Sequence, residues 1–370
     1  MSFMPIHIGD LEIQLRIIQG GMGVGISLSG LAGAVAQCGA VGVISAAVIG
    51  MNERDISTNP IEANNRALRK EISKAREIAP QGVIGVNIMV AMTHYAELVT
   101  TALEEGIDMI ISGAGLPLEL PKLYRDICEK TQRVLKTKLI PIVSSARATT
   151  VIAKKWFAKT GLLPDAVVLE GPKAGGHLGF TYDDVWASNK TLEVLLPEVV
   201  DAVKELEDKA GRAIPVFAAG GIFTGKDIYD ILELGATGVQ MGTRFVATHE
   251  CDADERFKQR YIDVTEEEIR LIKSPVGLPG RVIHNEFVDE MYEGKRRPKK
   301  CIYDCVITCD PKTTPYCISA ALINAQKGNL RNGFAFAGAN VHRIKEIVSV
   351  KELIDSLTKE YDEAIITSKG

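Results

Sequence analysis

The chain has 370 residues and a mass of 40.1 kDa, enough for two ordinary domains or for one α/β barrel with roughly a hundred residues to spare. Its formal net charge is −4 and no basic stripe runs through it, which argues against a nucleic-acid-binding protein. Its seven cysteines are an odd number, and this speaks against a closed disulfide framework.

The N-terminal part of the chain contains a long uncharged stretch. Residues 1–15 show no basic segment followed by an apolar run, so we expect no secretory signal. No charged residue lies between Ile17 and Met51, but glycines recur throughout this stretch. The pattern favours strand, glycine loop, short helix and strand in a buried core over a membrane span, and we expect a cytoplasmic protein.

Eight short apolar, β-branched runs follow one another, separated by helix-like segments. They lie at 16–22, 41–47, 83–90, 109–115, 139–145, 166–171, 214–221 and 238–245. Continuous hydrophobicity is typical of parallel strands buried on both faces, so these runs predict an α/β fold, a (β/α)8 TIM barrel. A doubly wound sheet is the competing architecture. We favour the barrel because the last two runs end in glycine loops, where barrels commonly bind phosphate.

The chain after the eighth run departs from this repeat. We predict a charged helix at 252–272, a Pro/Gly loop at 274–282, a helix at 318–326 and an amphipathic C-terminal helix at 348–361. Residues 1–245 and 337–370 are therefore expected to form the barrel, with residues 246–336 inserted as a lid or small subdomain. A separate C-terminal domain is the alternative.

Two of the glycine loops predict a phosphate site. Gly220-Gly221 ends the seventh run and Gly242-Thr243 lies in the eighth, and a phosphate monoester needs backbone N–H donors without a Cβ in the way. Thr243 adds a hydroxyl donor, and Arg244 is a candidate charge partner. The alternative is that both loops are only tight turns.

A third glycine loop, Gly20-Gly21-Met22-Gly23, ends the first run. Such a loop lets a flat ligand lie directly on the backbone. A dinucleotide fingerprint is excluded, because the G-x-G-x-x-G spacing requires glycine or alanine at position 26, which is Ile26.

His177 is the sharpest candidate for a catalytic residue. It ends the segment Glu170-Gly171-Pro172-Lys173-Ala174-Gly175-Gly176-His177, directly after the sixth run, so its imidazole is expected at the barrel mouth. A histidine there can donate or accept a proton, or hold an anion as imidazolium. A lone histidine is more often structural, but the glycines around this one leave room for a substrate.

Four motifs together resemble the nitronate monooxygenase family, formerly called 2-nitropropane dioxygenase, which includes the flavin-type enoyl-ACP reductases. The motifs are Ile17-Ile18-Gln19-Gly20-Gly21-Met22, Ala174-Gly175-Gly176-His177, Ala219-Gly220-Gly221-Ile222 and Gly238-Val239-Gln240-Met241-Gly242-Thr243-Arg244-Phe245. The resemblance covers about residues 5–290 and implies a TIM barrel that binds FMN noncovalently.

The resemblance also assigns residues to the cofactor. It implies an FMN phosphate on Gly220, Gly221, Gly242 and Thr243, and an isoalloxazine ring over Gly21, Met22 and Gly23, with Asn87 and Ser145 nearby. Glu170, Gly175, Gly176 and Gln240 complete the implied cofactor site, and His177 matches the family's active-site histidine.

The function implied is that of an FMN-dependent oxidoreductase that oxidises nitronates or nitroalkanes through reduced flavin and oxygen. The alternative within the family is an NAD(P)H-dependent enoyl-ACP reductase; a remoter one is a flavin-free phosphate-binding barrel enzyme. Lys173 stands where an acidic residue is expected, and Glu170 resembles the reductases, since the nitronate enzymes usually have Gln there. We expect a small-molecule or acyl-thioester substrate, acyl carrier protein as a candidate partner, a homodimer, and neither nucleic acid nor membrane.

A cysteine-rich segment lies outside the resemblance. Cys301, Cys305, Cys309 and Cys317 are spaced four, four and eight residues apart, so the first three would share one face of a helix. Four thiolates can ligate an iron–sulfur cluster or zinc, although CxxC pairs are absent. Three interpretations stay open. The cysteines bind an iron–sulfur cluster, which would also allow the protein to be a metal-cluster sensor. Otherwise they bind structural zinc, or they are plain packed or redox-sensitive thiols.

A basic run at 295–300 precedes these cysteines. It predicts either a solvated loop or a docking site for an acidic carrier protein or a nucleotide phosphate.

Overall fold

The computed structural model of the protein describes residues 3–298 and 300–368, so Lys299 of the basic run lies outside the described residues. Its strands are β1 (Ile6–Ile8), β2 (Leu11–Ile13), β3 (Ile17–Gln19), β4 (Gly42–Ser45), β5 (Ile84–Met89), β6 (Met109–Gly113), β7 (Lys138–Val143), β8 (Val167–Glu170), β9 (Gly176–His177), β10 (Val216–Ala219), β11 (Gly238–Met241), β12 (Ile269–Lys273), β13 (Pro279–Ile283) and β14 (Ala335–Phe336). Eight of them form one parallel sheet in the order β3-β11-β10-β8-β7-β6-β5-β4. Each of these eight overlaps one predicted run, so the predicted fold class is confirmed.

Helices alternate with the barrel strands. They are α1 (Ser29–Gln37), α2 (Pro60–Ile78), α3 (Tyr95–Glu104), α4 (Leu120–Thr131), α5 (Ala146–Thr160), α6 (Leu192–Ala210), α7 (Gly225–Glu233), α8 (Thr243–Val246), α9 (Glu255–Asp263), α10 (Glu286–Tyr292), α11 (Ile318–Gln326) and α12 (Val350–Ser368). Short 3-10 helices lie at Asp184–Trp186, Ser188–Lys190, Glu266–Glu268, Leu330–Asn332 and Val341–Arg343. Within the described ranges, none of the helices is both long enough and apolar enough to cross a membrane.

The barrel closes between β3 and β4, the two ends of the strand order. Ile18 and Val41 form a parallel bridge, and the Gln19 N–H donates to the Val41 carbonyl at 2.9 Å. The buried Gln19 side chain binds both backbone groups of Val43, accepting from its N–H at 3.0 Å and donating to its carbonyl at 3.3 Å. A buried amide is stable at this seam because both of its polar groups find partners.

A hairpin of β1 and β2, absent from the predicted elements, covers the other end of the barrel. Its isoleucines Ile6, Ile8 and Ile13 join the inward-facing side chains of the barrel strands in one buried cluster. The turn residue Gly9 lies against Lys138, the first residue of β7. The hairpin therefore closes the N-terminal end of the barrel and leaves the C-terminal end open for a site.

The segment after β11 forms a small antiparallel sheet. In this sheet β12 pairs with β13, and β13 also pairs with β14 and with β9. The predicted helix at 252–272 is correct only for α9; β12 replaces its second half, where Ile269 and Leu271 flank the exposed Arg270 and favour a half-exposed strand. The predicted loop at 274–282 is correct for its first five residues, and β13 replaces the rest.

The last helix, α12, completes the outer ring of the barrel, packing on α7 and on α1. The helices approach so closely that a Cβ on Gly225 would lie 2.2 Å from the Leu357 carbonyl oxygen. The C-terminal helix predicted at 348–361 is confirmed and extends further, to Ser368, and α11 agrees with the helix predicted at 318–326.

Candidate active site

The C-terminal ends of the barrel strands surround a cavity. Its walls contain most of the residues that the sequence assigned to the cofactor or to catalysis. They are Gly21, Met22, Gly23, Asn87, Glu170, Gly175, Gly176, His177, Gly220, Gly221, Gln240, Gly242 and Thr243. Parallel strands bring these distant segments together because all of them end at the same edge of the barrel.

Ser145 is not among them, and its assignment to the cofactor site stays a prediction. Its hydroxyl accepts a hydrogen bond from the Ala148 N–H and caps the N-terminus of α5. Serine is a preferred residue at this helix position, and its side chain is not among those lining the cavity. The preceding Ser144 instead lines a neighbouring cavity.

The ends of β10 and β11 form a cradle of free backbone donors. Among the described residues, the N–H groups of Gly221, Gly242 and Thr243 have no hydrogen-bond acceptor. Gly220 and Gly221 have φ angles of 97° and 90°, which a residue with a Cβ rarely adopts. The Thr243 hydroxyl accepts from the Gly338 N–H at 3.0 Å, so its own hydrogen is free for a ligand.

A lysine supplies positive charge to this cradle. The aliphatic part of Lys173 packs on Gly221, where an added Cβ would lie 2.9 Å from the Lys173 Cβ, and Lys173 lines the cavity. Arg244, the predicted charge partner, turns away: it donates to the Phe223 carbonyl at 2.8 Å, and its guanidinium lies 4.4 Å from the Phe223 ring centroid.

The loop after β3 gives the cavity a bare backbone wall. A Cβ on Gly21 would lie 2.3 Å from the Asn87 Cβ, and one on Gly23 would lie 2.7 Å from the Ala47 Cβ. The Oε1 atom of Gln240 is buried without a hydrogen-bond partner in the described part of the chain. Because buried polar atoms are normally paired, this amide fits a polar ligand in the cavity, and the flat glycine wall fits an aromatic ring.

His177 is held by the segment that follows the barrel. Its Nε2 lies 2.7 Å from the Ser274 hydroxyl, and its ring meets the Phe336 ring edge-on at 4.9 Å. Burial lowers the pKa of His177 to about 4, because a low-dielectric site disfavours the charged form. The imidazole is therefore neutral near pH 7, which argues against the imidazolium role considered from the sequence.

Arg281 of β13 braces the loop that leads to His177. Its Nη1 donates to the carbonyls of Pro172 and Ala174 at 2.6 and 2.5 Å, and the residue is 4% exposed. Burial raises the pKa of Glu170 to about 8, although the Arg281 charge opposes this shift. Burial likewise lowers the pKa of Arg281 to about 10. No direct ion pair joins the two side chains, so Glu170 is mostly protonated at neutral pH.

A second cavity, of about 760 Å³, adjoins the first. Its walls are mainly apolar, with a few polar groups. They include Leu116, Ile142, Phe180, Tyr182, Leu278 and Pro279, together with Ser144, Asp184, Lys273 and Ser274. Glu170 and His177 line both cavities, so a ligand in either one reaches the same histidine.

Comparison with known proteins decides the family of this site. The family model described as nitronate monooxygenase matches residues 5–360. This chain belongs to the nitronate monooxygenase family. The resemblance seen in the four sequence motifs is thereby confirmed, and the chain is a flavin-dependent oxidoreductase.

Relatives from several bacteria are similar in sequence to this member of the nitronate monooxygenase family. A (3aS,4S,5R,7aS)-5-hydroxy-7a-methyl-1-oxo-octahydro-1H-indene-4-carboxyl-CoA dehydrogenase from Mycobacterium tuberculosis is 28% identical over 291 residues, which are 77% of this chain and 68% of that protein. A probable nitronate monooxygenase from Staphylococcus aureus is 28% identical over 313 residues, 77% of this chain and 80% of that protein. The solved structure of FabK from Thermotoga maritima has a TM-score of 0.73 at 28% identity, covering 97% of this chain and 96% of that one.

Within the described residues, the thiols of the cysteine-rich segment are not arranged as a metal site. The thiols of Cys301, Cys305, Cys309 and Cys317 are free, and across residues 3–298 and 300–368 no three His, Cys, Asp or Glu side chains are arranged to hold a metal ion. Cys305 lines the first cavity, and burial raises its pKa to about 11. The geometry thus gives the iron–sulfur hypothesis no support, and it stays a prediction.

The basic run is partly neutralised in the structure. Lys295 pairs with Glu293 at 2.5 Å, and Arg296 pairs with Glu290. These ion pairs favour the solvated-loop interpretation over a free cationic docking site.

The sequence analysis did not identify Arg281, Ser274 and Asn340, the site residues that follow the eighth barrel strand. Arg281 carried a signal, because it is the one charged residue in the apolar run from Val276 to Ile283, and a buried charge needs partners. No local sequence pattern marks Ser274 or Asn340 as a site residue. Asn340 donates to the Gly221 carbonyl at 2.5 Å, a contact that depends on the chain's return to the barrel.

Proposed function

We propose that this flavin-dependent oxidoreductase uses FMN and NAD(P)H to reduce the double bond of an enoyl thioester. The observation that carries the proposal is the position of His177, a neutral imidazole shared by a glycine-walled cavity and a second, mainly apolar one. That arrangement suits a flat cofactor on one side and an acyl chain on the other.

The first cavity fits FMN in its donor set. The free N–H groups of Gly221, Gly242 and Thr243 would hold the phosphate, with Lys173 as its charge partner. The ring would lie along the loop after β3, within reach of the unpaired Gln240 amide. When bound, FMN supplies the redox chemistry, while these residues bind and orient it.

His177 and Glu170 would act on the substrate as neutral groups. A neutral imidazole can donate a hydrogen bond to a thioester carbonyl and polarise it without carrying a charge itself. Glu170, whose pKa burial raises to about 8, would stand beside it as a protonated acid. Arg281 would fix the backbone between them through Pro172 and Ala174.

The second cavity supports a substrate larger than a small nitronate. Its volume of about 760 Å³ lies in the range of roughly 300–1,000 Å³ that is typical of sites for drug-sized ligands. Its apolar walls favour a hydrocarbon chain, and Lys273 adds a cation for an anionic carrier group. A relative named as a carboxyl-CoA dehydrogenase acts, by that name, on a CoA derivative.

Nitronate oxidation is the second candidate function. It is favoured by the family model and by the Staphylococcus aureus relative, which is named a probable nitronate monooxygenase. A nitronate would also accept a hydrogen bond from His177, so the geometry of the first cavity suits both substrates. The two functions differ in the compound that reduces the flavin and in the compound that then accepts its electrons.

The test is anaerobic flavin spectroscopy on the purified protein loaded with FMN. NADH or NADPH should bleach the flavin, and a medium-chain 2-enoyl-CoA should restore its absorbance without oxygen. Bleaching by propionate 3-nitronate, with no response to NAD(P)H followed by enoyl-CoA, would contradict enoyl reduction and support nitronate oxidation. A protein that binds no FMN would contradict both and favour a flavin-free barrel enzyme.

We further propose that residues 246–336 serve as a lid over a barrel formed by residues 1–245 and 337–370. The pairing of β13 with β9 and the contact of Ser274 with His177 support this division.

A homodimer, a carrier-protein partner and a cytoplasmic location stay predictions. Iron and sulfide assays on protein purified without air test whether the four cysteines bind an iron–sulfur cluster. The absence of stoichiometric iron and sulfide would contradict that hypothesis.

A further inference from the structure

Four residues line both the first and the second cavity: Ala114, Ile142, Glu170 and His177. They form a neck, because a ligand that extends from one cavity into the other passes between them. Two of the four side chains are apolar and two are polar. The neck therefore suits a ligand that changes from polar to apolar within a few atoms, as a carbonyl group that carries a hydrocarbon chain does.

Ile142 belongs to the uppermost inward-facing layer of the barrel. Side chains alternate along β7, so Ile142 and Ile140 point to the same face. Ile140 is 0% exposed and lies in the cluster of inward-facing side chains, against which Ile142 packs. Leu139 instead joins the cluster that the strands share with the surrounding helices. Since Ile142 is only partly buried, its remaining surface faces the two cavities that it lines.

The neighbouring strand determines where the Ile142 side chain lies. A Cβ on Gly113, the last residue of β6, would lie 2.9 Å from the Ile142 Cβ and 3.1 Å from its Cδ1. The isoleucine therefore already fills the space that the glycine leaves. Because protein interiors are closely packed, a larger side chain at position 142 extends away from Gly113 and into the neck.

The two sides of the neck differ in what they offer a ligand. Toward the first cavity lie the glycine loops and the Gln240 Oε1 atom, which has no partner among the described residues. On the other side, Phe180, Leu278 and Pro279 contribute to the mainly apolar walls of the second cavity. A hydrocarbon chain that leaves the first cavity through the neck is therefore removed from water against apolar side chains, which is favourable.

We propose that Ile142 is a specificity-determining residue, which sets the width of the neck through which a hydrocarbon chain enters the second cavity. Resting on the proposed function, the substrate is a 2-enoyl thioester whose carbonyl lies at His177 and whose unbranched chain extends past Ile142. The residue touches the chain and not the reacting atoms. Its size therefore changes the preference between long and short chains and leaves the flavin site intact.

The test measures how strongly the FMN-loaded protein prefers a long acyl chain to a short one. Isothermal titration calorimetry gives the Kd values of butanoyl-CoA and dodecanoyl-CoA, saturated thioesters that an enoyl reductase forms as products. The wild type should bind dodecanoyl-CoA at least about a hundredfold more tightly, because each buried methylene group favours binding. Ile142→Phe should lower this preference at least about tenfold, whereas Ile142→Leu should keep it within about twofold. Ile142→Met, longer but unbranched, repeats the test with less overpacking.

Ile140→Val is the matched control. It shortens an isoleucine on the same face of the same strand, one layer deeper, and within the described part of the chain this residue lines neither cavity. The preference for the long chain should stay unchanged. An unaltered preference in both Ile142→Phe and Ile142→Met, or an equal fall in Ile140→Val, would overturn the proposal. Loss of FMN binding in Ile142→Phe would overturn it as well, since the residue would then lie against the flavin.

Nitronates separate this proposal from the proposed function. The kcat/KM for the nitronate of 1-nitrooctane, relative to that for the nitronate of nitroethane, should fall at least about tenfold in Ile142→Phe. A protein that oxidises nitronates and does not reduce enoyl-CoA would contradict enoyl reduction, and this ratio would still decide the role of Ile142. A wild type without a preference for the longer chain in either ligand series would overturn the role of Ile142 alone.

Discussion

Gly280 and His177 are paired across two antiparallel strands, β13 and β9. The next pair in the same register joins Arg281 to Gly176. The strand that follows the barrel is therefore hydrogen-bonded to the loop that carries the candidate catalytic residue. Any change that loosens β13 is expected to reach the active site through this register.

Replacing Arg281 with methionine is expected to destabilise both the fold and the cofactor site. The variant leaves the carbonyls of Pro172 and Ala174 without their donor in a buried position. Hydrogen bonds to charged groups contribute about 1.5–3 kcal/mol each, so a loss of about 3 kcal/mol in the free energy of unfolding is expected. Urea denaturation measures it, and FMN titration should show weaker binding.

Arg270→Met is the control for Arg281. Arg270 lies on β12 of the same sheet, but it is exposed, and within the described residues its side chain donates a hydrogen bond only to the neighbouring Ile269 carbonyl. An exposed substitution of this kind usually changes the free energy of unfolding by less than about 0.5 kcal/mol. Equal effects of the two variants would contradict the bracing role of Arg281.

The neutral state of His177 predicts a characteristic pH dependence of stability. Its pKa falls from 6.5 to about 4 on folding. Between these values the unfolded chain binds a proton that the folded chain does not, so this residue makes stability fall as the pH drops from 6.5 to about 4. His177→Gln should lose less stability over this window than the wild type, measured by urea denaturation at each pH. His7→Gln, at an exposed histidine, should behave like the wild type.

Glu170 predicts the opposite dependence. Its pKa rises from 4.5 to about 8 on folding, so between these values the folded chain keeps a proton that the unfolded chain releases. Wild-type stability contributed by this group is therefore present below pH 4.5 and lost as the pH rises through about 8. Glu170→Gln, which mimics the protonated acid, should gain stability relative to the wild type across this window. Glu205→Gln, on the exposed face of α6, should not; an identical gain would contradict the assignment.

Lys173 is expected to contribute to FMN affinity through the phosphate. In Lys173→Met the cradle loses its cation but keeps its free N–H groups, so FMN should bind roughly tenfold more weakly, or about 1.4 kcal/mol. Riboflavin, which has no phosphate, should bind equally well to both proteins, and the salt dependence of FMN binding should decrease. Lys226→Met, at an exposed lysine paired with Asp230, is the control. Parallel losses for FMN and riboflavin would place Lys173 away from the phosphate.

The barrel could be predicted from the sequence because each of its strands is mostly apolar and most of them end in, or are followed by, glycine or serine. Parallel topology then brings Gly21, Asn87, Gly221 and Thr243 to one edge without further information. These residues share a local signal, a strand followed by a loop. The same rule is ambiguous at Ser145, because helix capping and ligand binding favour the same residue type after a strand.

The contributions of the segment after the barrel could not be predicted in the same way. Ser274 reaches His177 only because β13 pairs with β9 over a sequence separation of about a hundred residues, and no local pattern encodes that register. The strand β12 was assigned to a helix because charged residues on both sides of Ile269 and Leu271 mask a two-residue alternation. Long-range pairing, rather than local propensity, decides this part of the site.

The phosphate cradle predicts a sharp difference between two glycines. Gly221 and Gly211 have φ angles of 90° and 64°, so alanine is strained at both positions. A Cβ on Gly221 would lie 2.9 Å from the Lys173 Cβ, whereas one on Gly211 meets nothing within 4 Å. Gly221→Ala should therefore lose FMN binding by more than about tenfold, while Gly211→Ala should lose only stability, by about 1 kcal/mol. Flavin titration and urea denaturation of both variants separate the two effects. If Gly221→Ala binds FMN as tightly as Gly211→Ala does, the phosphate does not lie on this loop.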